Sequence, residues 1–366
     1  MLFRSIAGAS AALALAESKH QVDLVELSPD RRANDIGVWL PGPAFRAMAA
    51  LDLFDECLPA IAVGNNMRVC SETGEVIREI STSASSGGGR PSGGNMVLTD
   101  LHDLLHDRVS RAGVGVRFAT GIETLHQDAD GVDVAFGDGR TQRYDAVIGS
   151  DGIRSRVRDL AFPSPSSIEY GGQNFWRLRL PADPRIDCRH VFTGVSIRVG
   201  LSPLPRDEMY LFLQQMTPVQ PDHAVEDRYL VLRELLAGYE GVLGDVRDRI
   251  NADSPIRAYP LETLAFDGGW IRQRVALIGD ASHPIPPQLP VGICLAIEDG
   301  AVLAEELAKA GPVADALSRF AQRRLKRCRR LAENAQEIVR RQNDLMPQPS
   351  ITAVFDQALG MLAEPF

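Results

Sequence analysis

The sequence has 366 residues, and its 39 Lys and Arg against 48 Asp and Glu give a formal net charge of -9. This length predicts two domains or one large interleaved unit, because an ordinary domain has about 150 residues. The acidic balance argues against a nucleic-acid partner, since the field of the chain repels a phosphate backbone. Hydrophobic residues make up 45% of the chain, yet no stretch approaches the roughly 18 uninterrupted apolar residues of a membrane span.

The cysteines favour a reducing environment. They are five in number, lie far apart and form no CxxC pair; they are Cys57, Cys70, Cys188, Cys294 and Cys328. This pattern argues against a disulfide framework and against a zinc site, so no metal is predicted and a cytoplasmic location is expected. A homodimer is compatible with the sequence, although no motif requires one.

The N-terminal part predicts a helix that leads into a strand. Small aliphatic residues predict the helix over Ser10–Ser18, and alternating polarity predicts a strand over Gln21–Glu26. Only Met1–Arg4 are available for a strand before this helix, where about five residues are usual. The next predicted elements are a helix over Pro43–Leu53, a hairpin of Met67–Cys70 and Val76–Ile80, a loop over Ser83–Gly94, and a helix over Asp100–Ala112.

The remaining chain predicts a second sheet, followed by a helical C-terminal part. Strands are predicted over Gly115–Ala119, Gly131–Phe136, Gln142–Gly149, Phe175–Leu180, His190–Leu201, Glu208–Gln215 and Arg274–Ile278. From Phe175 onward the alternation is typical of an antiparallel sheet with one covered face. Val291–Gln342 is predicted to be helical with a break near Gly311–Pro312. Its basic cluster, Arg323–Arg330, is interpreted as a solvated helix face.

Two strand-to-turn motifs carry the most chemical information. In the first, a buried strand ends at Asp151-Gly152, and arginines follow where a helix is expected to begin. Such a turn combines a carboxylate with a glycine that permits close backbone approach, and the helix start favours an anionic group. In the second, a strand ends at Gly279-Asp280, where a carboxylate can accept hydrogen bonds from sugar-like hydroxyls.

These two motifs, in this order and separated by a β-rich insertion, resemble the fingerprints of the FAD-dependent aromatic hydroxylases. The resemblance implies an α/β fold, in which a doubly wound FAD-binding domain is interleaved with an antiparallel β-sheet substrate domain and followed by a helical C-terminal region. It places the FAD-binding parts at 1–65, 95–160 and 265–310, the substrate domain at 66–94 and 161–264, and the C-terminal helices at 311–366.

The resemblance also implies a cofactor site. It assigns FAD contacts to Gly8, Glu26, Asp151, Gly152, Gly279, Asp280, Pro287 and Gly292. Asp280 would bind the ribityl chain, and the loop that ends at Gly292 would lie along the isoalloxazine ring. Members of the family use NADH or NADPH and O2 to hydroxylate small aromatic substrates. No side chain is identified from the sequence as a catalytic acid or base.

The sequence departs from the family pattern at three places. The first two glycines of the usual Gly-x-Gly-x-x-Gly fall on Phe3 and Ser5, so only Gly8 remains. Leu98 stands where an arginine is usual, and Pro290–Cys294 replaces small and polar residues beside the flavin ring. A side chain at the second glycine position occupies space that a pyrophosphate needs. These departures predict a lower FAD affinity than the family pattern gives.

Weaker candidates lie on the predicted sheet and on one helix. Trp176, Arg177 and Arg179 could contact an acidic or aromatic substrate, with the two arginines on one face of their strand and the tryptophan on the other. Ordinary sheet packing explains them equally well. His102 and His106 are four residues apart on one helix, and an exposed helix face is favoured over a metal site there.

The leading hypothesis is an FAD-dependent monooxygenase that hydroxylates an aromatic or similarly flat small molecule. The alternative is a flavin-free descendant of the fold that acts as a non-redox enzyme or as a small-molecule-binding protein. A gene fragment that begins inside the first strand would explain Phe3 and Ser5, but it would leave Leu98 and Pro290 unexplained.

Overall fold

The structure of the protein is a computed structural model that describes residues 5–29, 35–64, 66–81, 89–194 and 197–366. Its strands within these ranges are β1 (Asp23–Val25), β2 (Gly37–Pro41), β3 (Ala62–Val63), β4 (Asn66–Cys70), β5 (Val76–Ser81), β6 (Gly93–Val97), β7 (Gly115–Arg117), β8 (Ile122–Gln127), β9 (Val132–Phe136), β10 (Thr141–Tyr144), β11 (Val147–Gly149), β12 (Ser167–Pro181), β13 (Arg189–Thr193), β14 (Ile197–Leu204), β15 (Glu208–Met216), β16 (Arg257–Ala265), β17 (Ile271–Arg272) and β18 (Val275–Leu277).

The helices agree well with the predicted ones. They are α1 (Ile6–Glu17), α2 (Gly42–Ala49), α3 (Phe54–Cys57), α4 (Leu98–Arg111), α5 (Arg156–Ala161), α6 (Arg228–Leu235), α7 (Gly241–Arg249), α8 (Gly292–Leu307), α9 (Val313–Asn343) and α10 (Gln348–Leu362). α1 begins four residues before the predicted start, because the Ser5 hydroxyl accepts a hydrogen bond from the Gly8 N–H and caps the helix. None of the described helices is long and apolar enough to cross a membrane.

Short parallel ladders form the layer beneath α1 and α8. β1 pairs in parallel with β7, and β11 pairs in parallel with β18, which also pairs antiparallel with β17. In the described part of the chain no ladder joins these two groups. The strand expected before α1 falls on residues 1–4, which lie outside the described ranges. The carboxyl ends of β1, β11 and β18 lead to Glu26, Ser150 and Gly279.

One large sheet has the strand order β16-β12-β15-β14-β13-β4-β5. Its neighbouring strands are antiparallel except for β13 and β4, which are parallel. The strands predicted from Phe175 onward are antiparallel to one another as expected, and the parallel pair joins them to the earlier hairpin. The hairpin β4–β5 comes from an earlier part of the chain and adds to the edge of the sheet beside β13, where its direction is not fixed by a tight turn.

Two predicted strands each prove to be two strands. The range Gln142–Gly149 contains β10, which pairs with β9, and β11, which pairs with β18 in another sheet. The range His190–Leu201 contains β13 and the first part of β14, which form an antiparallel pair. The structure adds β8, which was not predicted. Most of the predicted loop over Ser83–Gly94 lies outside the described residues, and its last two residues, Gly93 and Gly94, begin β6.

The two faces of the large sheet have different neighbours. On one face, residues such as Trp176, Leu211 and Leu213 pack against α6 and α7 in a closed hydrophobic core. The opposite face looks toward the helices of the parallel layer. Because side chains alternate along a strand, every second residue of β12 to β15 is directed into the space between the sheet and that layer.

The interpretation of Arg323–Arg330 as a solvated helix face is wrong for two of its members. Arg324 is completely buried and binds Glu298 and Asp299 of α8, at 2.7 and 2.8 Å. Arg327 also binds Glu298, at 2.9 Å. Both arginines lie on the side of α9 that packs against α8. The helix periodicity of α9 does not show that acidic residues of α8 lie opposite this side.

Candidate active site

A cavity of about 1600 Å3 lies between the large sheet, the parallel layer and the C-terminal helices. Residues of α1, α4, α8 and α10 contribute to its walls, together with alternate residues of β12, β13, β14 and β15. Ordinary small-molecule sites measure about 300–1,000 Å3. The cavity therefore has room for a large cofactor and a second small molecule.

Asp280 directs its carboxylate into the cavity from the turn that follows β18. The chain reaches this position through Gly279, whose φ is +57° and whose absent Cβ would lie 2.7 Å from the Cβ of Ala7. No hydrogen bond from the described residues reaches the Asp280 carboxylate, and the residue is exposed and lines the cavity. Burial raises its pKa, and the nearby His283 opposes that rise. Such a carboxylate can accept hydrogen bonds from the hydroxyl groups of a ligand.

The first turn of α1 forms another part of the wall. Ser5, Ile6 and Ala7 line the cavity, whereas Gly8 lies behind them and donates its N–H to the Ser5 hydroxyl at 3.2 Å. The first N–H groups of a helix have no partner within the helix. At Ile6 and Ala7 they therefore provide a positive helix end suited to an anionic group. Gly8 supports this turn from within the helix.

Glu26 directly follows β1 and also lines the cavity. Its side chain is buried, with 4% of the residue exposed, and Oε1 accepts a hydrogen bond from the Ser28 N–H at 2.7 Å. The strand-end acid predicted from the sequence is thus brought to the same cavity as Asp280.

Asp151 and Gly152, predicted to contact FAD, line the cavity, but Asp151 has protein partners of its own. Its carboxylate accepts hydrogen bonds from the Ser155 hydroxyl and from the Val157 N–H, the latter at 2.9 Å. Gly152 has a φ of +76°, which a glycine adopts without strain. Asp151 therefore fixes the turn between β11 and α5, and Gly152 gives the cavity a smooth backbone surface.

Pro287 and Gly292 lie together on the wall formed by the start of α8. A side chain at Gly292 would meet open space, so this glycine keeps the cavity wide in front of the helix. Leu98, which departs from the family pattern, lines the cavity at the start of α4. The first N–H groups of α8 have no side-chain cap, so they can donate to a ligand at this end.

A buried ionic network ties the Asp280 turn to α8. Asp299 accepts hydrogen bonds from the Gly279 N–H at 2.9 Å and from Arg324 at 2.8 Å, and its second contact to a side chain is His283, at 2.7 Å. Burial opposes ionisation of Asp299, but the charges of His283 and Arg324 outweigh burial and hold its pKa at about 2. The network sets the position of Asp280 without touching the cavity itself.

The three candidate residues on β12 have different surroundings in the structure. Arg177 lines the cavity, as does its neighbour Phe175 two residues earlier. Trp176 is fully buried on the opposite face of the sheet and donates to Gln215 at 3.3 Å, so its prediction as a substrate contact is wrong. Arg179 shares the face of Arg177 but pairs with Glu208 at 2.6 Å, outside the cavity lining. Of the three, only Arg177 lines the cavity, and its contact with a substrate stays a prediction.

Sequence reasoning missed several cavity residues. Arg189 and Arg198 lie on β13 and β14 and line the same wall as Arg177. The sequence predicts one strand over His190–Leu201, whereas the structure has β13 and β14 there. Which of their residues face the cavity can be recognised only when the two strands are treated separately. His102, interpreted as part of an exposed helix face, is instead buried and lines the cavity.

Comparison with known proteins shows what the whole chain is similar to. The sequence profile of an FAD binding domain matches residues 6–174. YetM of Bacillus subtilis (strain 168), whose name describes an FAD-dependent monooxygenase, is 28% identical over 98% of this chain and 97% of its own length. The 2-heptyl-3-hydroxy-4(1H)-quinolone synthase of Pseudomonas aeruginosa is 30% identical over 86% of this chain and 82% of its own length.

Known structures share the fold. The crystal structure of Klebsiella pneumoniae HpxO, complexed with FAD and uric acid, superimposes with a TM-score of 0.85. The match covers 99% of this chain and 96% of the other, at 22% sequence identity. At this identity the comparison establishes the architecture, including the large sheet that faces the parallel layer.

Proposed function

This chain belongs to the family of FAD-dependent aromatic hydroxylases, and we propose that it hydroxylates an aromatic or similarly flat small molecule beside FAD bound in the large cavity. Bound FAD supplies the redox chemistry: two electrons from NADH or NADPH and one O2 yield one oxygen atom in the substrate and one molecule of water. The Pseudomonas aeruginosa relative is named as the synthase of a quinolone, and the HpxO structure holds uric acid; both are flat heterocycles, which is consistent with this substrate class.

The observation that carries the proposal is the partnerless carboxylate of Asp280 at the centre of the cavity wall. A carboxylate that faces a cavity and accepts no hydrogen bond from the described residues is available to accept hydrogen bonds from a ligand. Ribityl hydroxyls are suitable donors. Gly279 and the Asp299 network hold the carboxylate in place for them.

The other walls fit the two ends of the same cofactor. The start of α1 offers N–H groups at Ile6 and Ala7 to a pyrophosphate, and Glu26 offers a carboxylate oxygen to the adenosine ribose. The start of α8, with Gly292, offers N–H groups and open space to the flavin ring. Leu98 makes this site less polar than the family pattern, and Ser5 adds a side chain at the start of α1, while both residues still line an open cavity.

The protein contributes orientation and exclusion of water. A substrate lying against the large sheet would stand between Phe175 and the loop at Pro287, two apolar surfaces that restrict its tilt. α10 adds apolar residues to the cavity wall, including Ile351 and Phe355. Such a shielded space protects reactive intermediates from hydrolysis and keeps the substrate close to the reacting atoms.

An absorbance spectrum of the purified protein tests the proposal, because bound FAD gives a flavin spectrum. Where the protein is isolated without flavin, added FAD should raise its melting temperature, since saturation at 100 times Kd stabilises a protein by about 2.7 kcal/mol. FMN serves as the matched control, because it lacks the adenosine half that Glu26 would contact. FAD should therefore bind more tightly than FMN.

Absence of flavin after purification, together with no FAD-dependent rise in melting temperature, would refute the proposed function. It would instead favour a flavin-free protein that binds small molecules. With FAD bound, oxidation of NADH or NADPH that depends on an added aromatic compound, with incorporation of oxygen from O2 into the product, would complete the assignment.

A further inference from the structure

Three arginines converge on the sheet wall of the cavity. Arg177 on β12, Arg189 on β13 and Arg198 on β14 all line it, and none is more than half exposed. The guanidinium groups of Arg177 and Arg189 both lie near the ring of Phe212, and the charge of Arg189 acts on Arg198. The central strands of the sheet thus present a concentrated positive charge to the cavity.

These arginines lack carboxylate partners in the described part of the chain. Nε of each arginine is buried without a hydrogen-bond acceptor, and so is Nη1 of Arg177. Burial lowers the pKa of Arg189, and burial together with the adjacent Arg189 lowers the pKa of Arg198 to about 10. Burying several like charges without a counter-ion destabilises a protein. The described residues therefore leave the cluster without a counter-ion, and an anionic ligand would supply one.

An aromatic side chain within the cluster indicates the shape of the missing partner. The guanidinium groups of Arg177 and Arg189 lie 5.5 and 5.0 Å from the ring centroid of Phe212. Arg189 also lies 5.2 Å from the ring of Trp39, which lines the cavity. These flat faces suit a planar ring, while the free N–H groups suit an oxyanion.

We propose that the substrate of this enzyme is a planar aromatic carboxylic acid whose carboxylate is bound by Arg177, Arg189 and Arg198, an inference that rests on the proposed function. Guanidinium groups match carboxylates with paired N–H donors. Held in this way, the acid group lies against the large sheet, and its ring extends toward the opposite wall at Pro287 and Gly292.

Calorimetric titration of the FAD-loaded enzyme with matched acids and amides tests the inference. The pairs are 4-hydroxybenzoate and 4-hydroxybenzamide, 2-aminobenzoate and 2-aminobenzamide, and 6-hydroxy-2-naphthoate with its amide. Each pair keeps its ring and loses only the charge. The best-bound acid should bind about ten- to hundredfold more tightly than its amide, as expected for charge-assisted hydrogen bonds.

Two variants assign the preference to the cluster. Arg198→Gln and Arg189→Gln should each reduce the acid-to-amide ratio at least severalfold, while FAD absorbance is retained. Each should also melt at or above the wild-type temperature without ligand, because a buried unpaired charge has been removed. A purely structural arginine would lower the melting temperature instead. Arg206→Gln is the control, since Arg206 is exposed and pairs with Asp100 at 2.7 Å outside the cavity.

Equal affinities within every pair, no binding of any of the three acids, or an unchanged ratio in both cluster variants would overturn the inference. Failure of the proposed function is distinguishable, because flavin absorbance is measured before each titration. A protein that lacks FAD but still prefers acids would support the anion site and refute the hydroxylase. A protein that binds FAD but shows no preference for acids would support the flavoprotein assignment and refute the anion site.

Discussion

Two clusters of buried arginines differ in one respect, the presence of acids. Arg324, between α8 and α9, is completely buried and binds Glu298 and Asp299 at 2.7 and 2.8 Å. Arg177 and Arg198, on the large sheet, are partly buried and have no carboxylate partner in the described ranges. The first cluster is complete within the protein, and the second is not.

This difference separates structural from functional charge. A compensated cluster contributes to the folded state through contacts that are always present, and its loss leaves opposite charges stranded. An uncompensated cluster destabilises the ligand-free protein. Binding of a ligand of opposite charge removes this destabilisation and so contributes to the affinity. Asp280 belongs to the second class on the opposite wall, because no described residue donates a hydrogen bond to it.

The largest expected effect comes from breaking the compensated cluster. Arg324→Met keeps the approximate volume but removes one buried counter-charge from each of Glu298 and Asp299. Loss of one partner from a buried ion pair typically destabilises a protein by about 3–5 kcal/mol. The midpoint of urea unfolding, followed by tryptophan fluorescence, should fall accordingly.

Arg340→Met on the same helix is the control for that experiment. Arg340 is exposed and pairs with Glu337 at 2.7 Å, and an exposed pair is worth about 0.2–1 kcal/mol at most. If the two variants unfold at the same urea concentration, the α8–α9 network does not contribute to stability as its burial indicates.

Cavity residues could be predicted from the sequence on the FAD side of the cavity more readily than on the large sheet. Asp280 and Glu26 follow strands directly, and a strand end fixes where the next side chain lies, so both could be predicted from motifs. Arg189 and Arg198 belong to strands that meet only through long-range pairing. Their common face depends on register, which local alternation does not determine.

The structural network was hidden for a similar reason. Arg324 stands in a run of basic residues, which is typical of a solvated face, and its acids lie 25 and 26 residues earlier on α8. Only the packing of α8 against α9 brings them together. The helices themselves, and the break at Gly311–Pro312, could be predicted because they depend on local propensity and turn residues.

The next effect tests the uncompensated acid. Asp280→Ala should weaken FAD binding about ten- to hundredfold, since a hydrogen bond to a charged acceptor is worth about 1.5–3 kcal/mol. The same substitution should leave the melting temperature of the flavin-free protein unchanged or raise it, because the carboxylate has no described partner to lose. Fluorescence quenching during FAD titration gives the dissociation constants. Identical affinities for wild type and variant would show that the flavin lies elsewhere in the cavity.

The smallest expected effect comes from supplying the sheet cluster with an acid of its own. Met67 on β4 is the register partner of Arg189 on β13, and both line the cavity. Met67→Glu should therefore place a carboxylate beside Arg189 and stabilise the ligand-free protein by about 0.5–1 kcal/mol relative to the uncharged Met67→Gln. The same glutamate should compete with 4-hydroxybenzoate and lower its affinity. In an Arg189→Gln background the difference in melting temperature between Glu and Gln at position 67 should disappear, because the charge that the glutamate pairs with has gone. A stabilisation that persists without Arg189 would mean that the glutamate pairs with another group. The contrast between an unpaired cluster on the sheet and the paired Arg324 would then be wrong.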